Sequence, residues 1–127
     1  MPAGPPKPVD PEERVDVAGQ LIGLGEAGAA AAAYVQAASR YFELDASDAA
    51  LDACQRAIAL APGSPGAHLE LVRVYLDRGW REPAAEKLVL LDRLLVLDED
   101  PAGRVRAAEM ARGAFPGDPR FAVMTGA

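Results

Sequence analysis

The sequence predicts an all-α fold in which about six antiparallel helices follow one another as a helix-turn-helix repeat solenoid. The first observation is an internal period. At an offset of about 34 residues, Tyr41 falls on Tyr75 and Ala50 falls on Ala84. The second is composition, because half of the residues are hydrophobic while only 6% are aromatic, and alanine is abundant. Such a core has to be made by close contact between helices rather than by large side chains.

Length and composition divide the chain into three parts. With 127 residues it is long enough for one domain with a modest core. Residues 1–10 contain four prolines and little to bury, which predicts a disordered, proline-rich leader. Residues 11–114 are predicted to form the helical repeat domain. Residues 115–127 contain two prolines and are predicted to be an extended tail, from which Phe121, Val123 and Met124 can dock on the helices.

The first two helices are predicted to start at about residues 11 and 26. Asp10 precedes Pro11 and two glutamates, which combines an N-cap, a proline in the first turn and acids that suit the positive end of the helix dipole. Gly23 and Gly25 supply the break. The second helix should reach about residue 43, and its alanines favour a helix but offer little area to bury. Its larger anchors are Tyr34, Val35, Tyr41 and Phe42.

The third and fourth helices are predicted to be amphipathic. Ser47, with Asp45 close by, is expected to cap the third helix. Ser64 followed by Pro65 is expected to start the fourth, which should end near residue 78. The buried stripe of the third helix is predicted to contain Ala50, Leu51, Cys54, Ala57 and Ile58. That of the fourth is predicted to contain His68, Leu71, Val72 and Tyr75.

The fifth helix, predicted over about residues 81–97, is more apolar than an amphipathic helix should be. Its leucines and valines surround most of the circumference, so a single packed face cannot bury them all. The end of a repeat array normally needs a polar cap. These side chains therefore imply either coverage by the tail and a sixth helix, predicted over about residues 101–114, or association with another chain. They are Leu88, Val89, Leu90, Leu91, Leu94, Leu95, Val96 and Leu97.

Charge, hydropathy and cysteine content limit the classes of partner and the cellular location that the sequence allows. The formal net charge of -6 and the pI near 4.7 give no basic surface to neutralise phosphates, which argues against nucleic acid. The apolar run at residues 88–97 is interrupted by Asp92 and Arg93 and is about half the length of a membrane span, so none is predicted. The chain start lacks the apolar core of a signal peptide, and one cysteine cannot form an internal disulfide. We therefore predict a cytoplasmic location.

With the helices placed, the residues resemble the tetratricopeptide repeat family, whose units are antiparallel helix pairs stacked into a superhelix. In the unit that matches best, Tyr34 and Tyr41 correspond to the family's large and aromatic residues in the first helix. Pro62 corresponds to its terminal proline. The small residues at the helix contacts are matched by Ala38, Ala50 and Ala57.

The neighbouring units match less completely. In the following unit His68 replaces the usual aromatic residue, and the closing proline comes late, at Pro101, which implies a longer second helix. Upstream, the helix from about residue 26 fits either role in a unit, so the register there stays open. The resemblance covers roughly residues 11–114 and is closest over 31–91. The following unit retains Leu71, Tyr75, Gly79 and Ala84.

The resemblance also implies where a partner binds. In the family, ligands commonly lie along the concave surface lined by the first helix of each unit. The asparagine and lysine with which some members grip a terminal carboxylate are absent, which argues against that specific activity. Trp80, in a turn beside Arg81, is either a lid over the core or an exposed anchor for a partner. By resemblance the concave surface here contains Val35, Ser39, Phe42, Leu69, Arg73 and Leu76.

The sequence contains no group of residues typical of catalysis or metal binding. His68 has no carboxylate or cysteine at ligand spacing, and Cys54 has no neighbouring histidine or lysine, so both are interpreted as core residues. Glycine-rich stretches at 19–28 and 62–66 lack the lysine and hydroxyl of a phosphate loop. The acidic residues 98–100 provide too few ligands for calcium. We therefore expect no enzyme activity, no cofactor and no metal.

Together these observations predict a non-catalytic scaffold or adaptor that binds another protein or peptide. Self-association through the apolar C-terminal helices, giving a homo-oligomer, is part of this prediction. The alternative is a regulatory or dimerisation segment of a larger signalling or transcription protein, which the proline-rich leader suggests. A small enzyme is a third possibility, and a deep pocket that gathers Cys54 and His68 would support it.

Overall fold

Six α-helices account for most of residues 8–122 and 124, the part of the chain that the computed structural model describes. No strand occurs in that part, so the predicted all-α class and number of helices are confirmed. Residues 1–7 of the predicted leader and residues 123 and 125–127 of the predicted tail lie outside it. In chain order the helices are α1 (Pro11–Gly23), α2 (Ala27–Glu43), α3 (Ser47–Leu60), α4 (Pro65–Asp77), α5 (Arg81–Leu97) and α6 (Pro101–Ala114).

Polar side chains cap half of the helices. The predicted capping role of Ser47 is wrong, because Ala46 is the N-cap residue of α3 and provides no side-chain hydrogen bond. The Ser47 hydroxyl instead accepts a hydrogen bond from Nη2 of Arg78, at 3.0 Å. In α1, α4 and α6 the N-cap side chain accepts from a backbone N–H of the first turn, and a proline follows it. These caps are Asp10, Ser64 and Asp100.

Four of the helix connections share one geometry. In each, a residue with positive φ follows the helix, and the next N–H donates to a carbonyl five residues earlier at 2.8–3.0 Å. This is the Schellman arrangement. Two connections use glycine, whereas Asp45 (φ 61°) and Glu99 (φ 52°) occupy the left-handed position in the others. The residue after Asp45 must then serve as the N-cap, which explains why Ser47 does not.

The six helices form two units of three. Each helix of the second unit begins 54 residues after its counterpart in the first: α4 (65) after α1 (11), α5 (81) after α2 (27) and α6 (101) after α3 (47). The two helices of each pair also have the same length, which is 13, 17 and 14 residues in that order. The segment that follows each unit, APGSP at 61–65 and FPGDP at 115–119, also repeats. The predicted 34-residue offset holds for the starts of α3 (47) and α5 (81). It does not hold for the starts of α2 (27) and α4 (65), which are 38 residues apart.

Two clusters of buried side chains form the core. The first cluster lies mainly on α1–α3, is rich in alanine and includes Ala37 and Tyr34. The second, leucine-rich cluster lies on α4–α6 and the tail, and it combines four buried leucines, among them Leu88 and Leu91, with five alanines. Tyr75 packs against both clusters. Small residues therefore contribute to both clusters, as predicted, and larger side chains add to the packing mainly in the second.

The helices pack in chain order, and even-numbered helices also contact one another. Each helix packs on the next, α4 contacts both α2 and α6, and the segment after α6 packs back on that helix. The described part of this tail is folded rather than extended, because Pro119–Phe121 forms a short 3-10 helix. Of the three side chains predicted to dock, Phe121 and Met124 are buried, and Val123 lies outside the described residues.

Helix α5 keeps part of its apolar surface in solvent, as its sequence predicts. Leu88, Leu91 and Leu95 are buried against α4, α6 and the tail. Leu90 and Leu97 remain 46% and 78% exposed. Coverage by α6 and the tail is therefore only partial, and the outer side of α5 is left without a partner within residues 8–122 and 124.

Candidate functional site

The predicted concave surface maps to neighbouring faces of α2 and α4. Val35, Ser39 and Phe42 follow one another at helical spacing on α2, which packs against α4. Arg73 lies across from them on α4, with its guanidinium carbon 4.4 Å from the centroid of the Phe42 ring. We call the surface formed by Val35, Ser39, Phe42, Glu70 and Arg73 the α2–α4 face.

Arg73 is held in place by two neighbours. Its Nη1 donates to both carboxylate oxygens of Glu70, at 2.9 and 3.0 Å, while its guanidinium covers the Phe42 ring. The Arg73 side chain is 34% exposed. A guanidinium has five N–H donors, so this contact leaves donors that can reach an acceptor on a bound molecule. The surface predicted from the sequence contains Arg73 but not Glu70.

Helix α4 is recessed between its neighbours. Among its residues only Asp77 is exposed, and the half-buried Gly66, Glu70 and Arg73 lie along the same side of the helix. A Cβ at Gly66 would lie 3.5 Å from Cγ1 of Val35, so the two helices approach closely there. On this side, therefore, the middle helix of the α2, α4 and α6 row is only partly exposed to solvent.

Leu69 and Leu76 are directed away from the α2–α4 face. Leu69 is only 8% exposed and belongs to the leucine-rich cluster, against which the half-buried Leu76 also packs. The structure therefore places Leu69 in the core, and its part in partner binding stays a prediction. The family resemblance assigns Leu69 to the concave surface, but α5 and α6 cover that edge of α4.

A cavity of about 300 Å³ lies beside Ser39. Pro8 and Val9, which precede α1, form one wall, and Nε of Arg40 donates to the Val9 carbonyl at 3.2 Å. Arg40 also pairs with Glu43. The end of the leader therefore borders the α2 part of the face. The full lining consists of Pro8, Val9, Gln36, Ser39, Arg40 and Glu43.

Trp80 lies at the connection between α4 and α5, away from the Phe42 and Arg73 contact. Its ring packs on Tyr75, with centroids 5.7 Å apart, and the guanidinium of Arg78 lies 5.2 Å from its centroid. Arg78 in turn bonds Asp48 at the start of α3. Trp80 is nevertheless 43% exposed. It therefore shields Tyr75 while part of its own side chain stays in contact with solvent.

The two side chains weighed as candidate catalytic groups are both buried. Nε2 of His68 donates to the carbonyl of Pro62 at 2.6 Å, whereas Nδ1 has no hydrogen-bond partner among the described residues. Burial lowers the pKa of His68, and the charge of Lys87 lowers it further. Burial raises the pKa of the Cys54 thiol to about 12, which keeps it protonated at neutral pH. Neither group lines the cavity beside Ser39.

Metal-binding and membrane-spanning features are missing from the described part of the chain. No group of three or more His, Cys, Asp or Glu side chains there is arranged to hold a metal ion. None of the six helices has both the length and the hydropathy needed to cross a bilayer. No protein-family model matches the chain, and no curated protein shows significant similarity to it.

Proposed function

We propose that this chain is a non-catalytic protein-interaction module of the tetratricopeptide-repeat type that binds a segment of another protein along the α2–α4 face. The observation that carries the proposal is the row of even-numbered helices, in which α4 contacts both α2 and α6 and is recessed between them. In the family that the sequence resembles, the first helices of successive two-helix units form such an inner row, and here alternate helices form it although the chain repeats every three helices. A recessed middle helix suits an extended segment that crosses the row.

The chemistry of the face indicates what kind of segment fits. Phe42 offers an aromatic surface and Arg73 offers N–H donors that Glu70 does not use. An apolar side chain followed by a carboxylate or a backbone carbonyl would contact both groups. The compensated charges of Arg73 with Glu70 and of Arg40 with Glu43 favour a protein segment over a polyanion, which agrees with the net charge of -6.

The absence of catalysis and the cytoplasmic location belong to the same proposal. His68 and Cys54 are buried, and the thiol pKa of about 12 disfavours the nucleophilic thiolate. A cytoplasmic protein has no need of disulfides, which suits a chain with a single cysteine.

Affinity capture from the native cell, with quantitative mass spectrometry, tests the proposal. The wild type is compared with Phe42→Ala and Arg73→Ala, and with Arg56→Ala as the matched control, since Arg56 is an exposed, ion-paired arginine on α3. We expect a defined set of proteins to be recovered with the wild type and Arg56→Ala and depleted with the other two. Equal recovery with all four chains, each shown to be folded, would refute binding at the α2–α4 face.

A further inference from the structure

The outer side of α5 has the spacing of a helix-pairing seam. Positions 83, 87, 90, 94 and 97 are separated alternately by four and three residues, which places them in one stripe along the helix. We call them the α5 stripe. Leu90 and Leu97 in this stripe are 46% and 78% exposed, and Leu94 is half-buried. Three leucines thus form a continuous apolar line on the surface.

The repeated unit itself does not require this apolar line. Fifty-four residues earlier, the positions on α2 that match Leu90, Leu94 and Leu97 are polar. Two of them make contacts within the chain: the Gln36 side chain accepts a hydrogen bond from Arg14, and the Arg40 side chain donates one to the Val9 carbonyl. The fold therefore accepts polar residues at this side of the second helix of a unit, and the leucines of α5 need a different explanation. The matching residues of α2 are Gln36, Arg40 and Glu43.

A cavity interrupts the stripe where a partner side chain can enter. Its volume is about 270 Å³, and Tyr75 of α4 closes one side. The lining residues of α5 have the i, i+3, i+4 and i+7 spacing of a hole that receives a knob side chain from a facing helix. They are Pro83, Glu86, Lys87 and Leu90.

Charges flank the stripe on one edge only. Glu86 and Arg93 lie two turns apart on that edge, both are exposed, and neither forms an ion pair with any described residue. On the other edge Ala84 and Leu91 are buried. Equivalent edges of two helices meet only when the helices run antiparallel. An antiparallel pair of α5 helices can therefore bring Glu86 of each copy to Arg93 of the other.

We propose that a second copy of this chain docks on the α5 stripe, antiparallel to the first about a two-fold axis near the middle of the helix. Leu90 of each copy enters the cavity of the other, Glu86 pairs with Arg93 across the interface, and Leu97 packs on the exposed part of Trp80. If one helix were shifted by two turns along the other, Arg93 of one copy would face Arg93 of the other, and Glu86 would face Asp100. Repulsion between like charges disfavours that register. This inference rests on the proposed function only in treating the chain as a protein-binding module, because it uses a different surface.

The interface is small, so the dimer is expected to form reversibly. Helix α5 has 17 residues and is therefore about 25 Å long. A single helix pair of this length buries less than the roughly 1,200 Å² at which stable interfaces begin. Self-association should accordingly increase with concentration over a range from about 1 μM to about 1 mM.

Sedimentation velocity on the full chain over that concentration range tests the proposal. The wild type is expected to shift from monomer to dimer. E86R and R93E should each weaken the dimer about tenfold or more, because like charges then face each other. An equimolar mixture of the two variants should restore a dimer, since one carries two cations at these positions and the other two anions. The double variant E86R/R93E should dimerise like the wild type.

Charge reversals on α6 provide the matched control. R106E and E109R change exposed residues outside the stripe and should dimerise like the wild type. A wild type that stays monomeric at about 1 mM, or a mixture of E86R and R93E that associates no better than either alone, would overturn the proposal. Either result would leave the capture experiment on Phe42 and Arg73 unaffected, so failure of the dimer and failure of the α2–α4 face can be told apart.

Discussion

The guanidinium of Arg73 lies 4.4 Å from the centroid of the Phe42 ring and thereby joins α4 to α2 at the candidate binding face. We expect a double-mutant cycle of Phe42→Ala and Arg73→Ala, measured by urea unfolding, to give a coupling energy of about 0.5–1 kcal/mol, as for a partly exposed cation–π contact. The reference cycle pairs Phe42→Ala with Arg56→Ala on α3 and should give no coupling. Equal coupling in both cycles would show that the contact does not form in solution.

A second prediction concerns the start of α6. A Cβ at Gly103 would lie 2.6 Å from Oδ2 of Asp100 and 2.7 Å from Cδ2 of Leu95. Asp100 caps the helix and Leu95 is 1% exposed, so neither side chain moves freely. We expect Gly103→Ala to lower the free energy of unfolding by about 1–3 kcal/mol.

The control for that substitution lies in the same helix. Gly113 is exposed, and a Cβ added there would meet no atom of the described residues within 4 Å. Gly113→Ala should leave stability unchanged or raise it by up to about 1 kcal/mol, because alanine is the better helix former. Chemical denaturation of both variants provides the comparison, and equal effects of the two substitutions would contradict the crowding at Gly103.

A third prediction is a pH dependence of stability caused by His68. Burial lowers its pKa in the folded chain below the ordinary value of 6.5. As the pH falls through 6.5, the unfolded chain gains a proton that the folded chain does not, so the free energy of unfolding decreases, by at most about 1.4 kcal/mol per pH unit. Above about pH 7.5 both states hold neutral histidine and the effect vanishes.

His68→Gln isolates this contribution. The glutamine amide can still donate to the Pro62 carbonyl, which accepts from Nε2 of His68 at 2.6 Å, but it does not titrate. The difference in unfolding free energy between the wild type and this variant should therefore change between about pH 7.5 and pH 5 and be constant above that range. Parallel pH profiles across the whole range would show that His68 is protonated equally in both states.

A fourth prediction concerns the reactivity of Cys54. The side chain is fully buried, and burial raises the pKa of its thiol to about 12. At pH 8 a chromogenic disulfide reagent should modify the native protein slowly and the urea-unfolded protein within seconds to minutes, because only the thiolate reacts and only opening exposes it. Rapid labelling of the folded chain would place Cys54 at an accessible site and would reopen the possibility of a reactive thiol.

Local signals in the sequence were sufficient to predict the helices. The proline after Asp10, Ser64 and Asp100 marks three helix starts, and the bounds of α5 and α6 agree with the structure. Each of these signals acts within one turn of the helix, so no knowledge of the tertiary fold is needed. The Schellman turn at Asp45 was missed because an aspartate at the left-handed position looks like a capping residue.

The three-helix repeat and the composition of the candidate face required tertiary information. Matching core positions differ in size, with Ala37 against Leu91 and Tyr34 against Leu88, so the 54-residue repeat is visible in backbone geometry more clearly than in side chains. The burial of Leu69 has a related reason. The resemblance assigns it to a side of α4, but only the positions of α5 and α6 determine that this side is buried.

Tyr75 packs against both core clusters and therefore links the two units of the chain. Its ring also packs on Trp80 and closes one side of the cavity in the α5 stripe. The same side chain thus belongs to the junction between the units and to the surface at which we propose that two copies associate, so the junction and the association surface cannot be altered independently at this position.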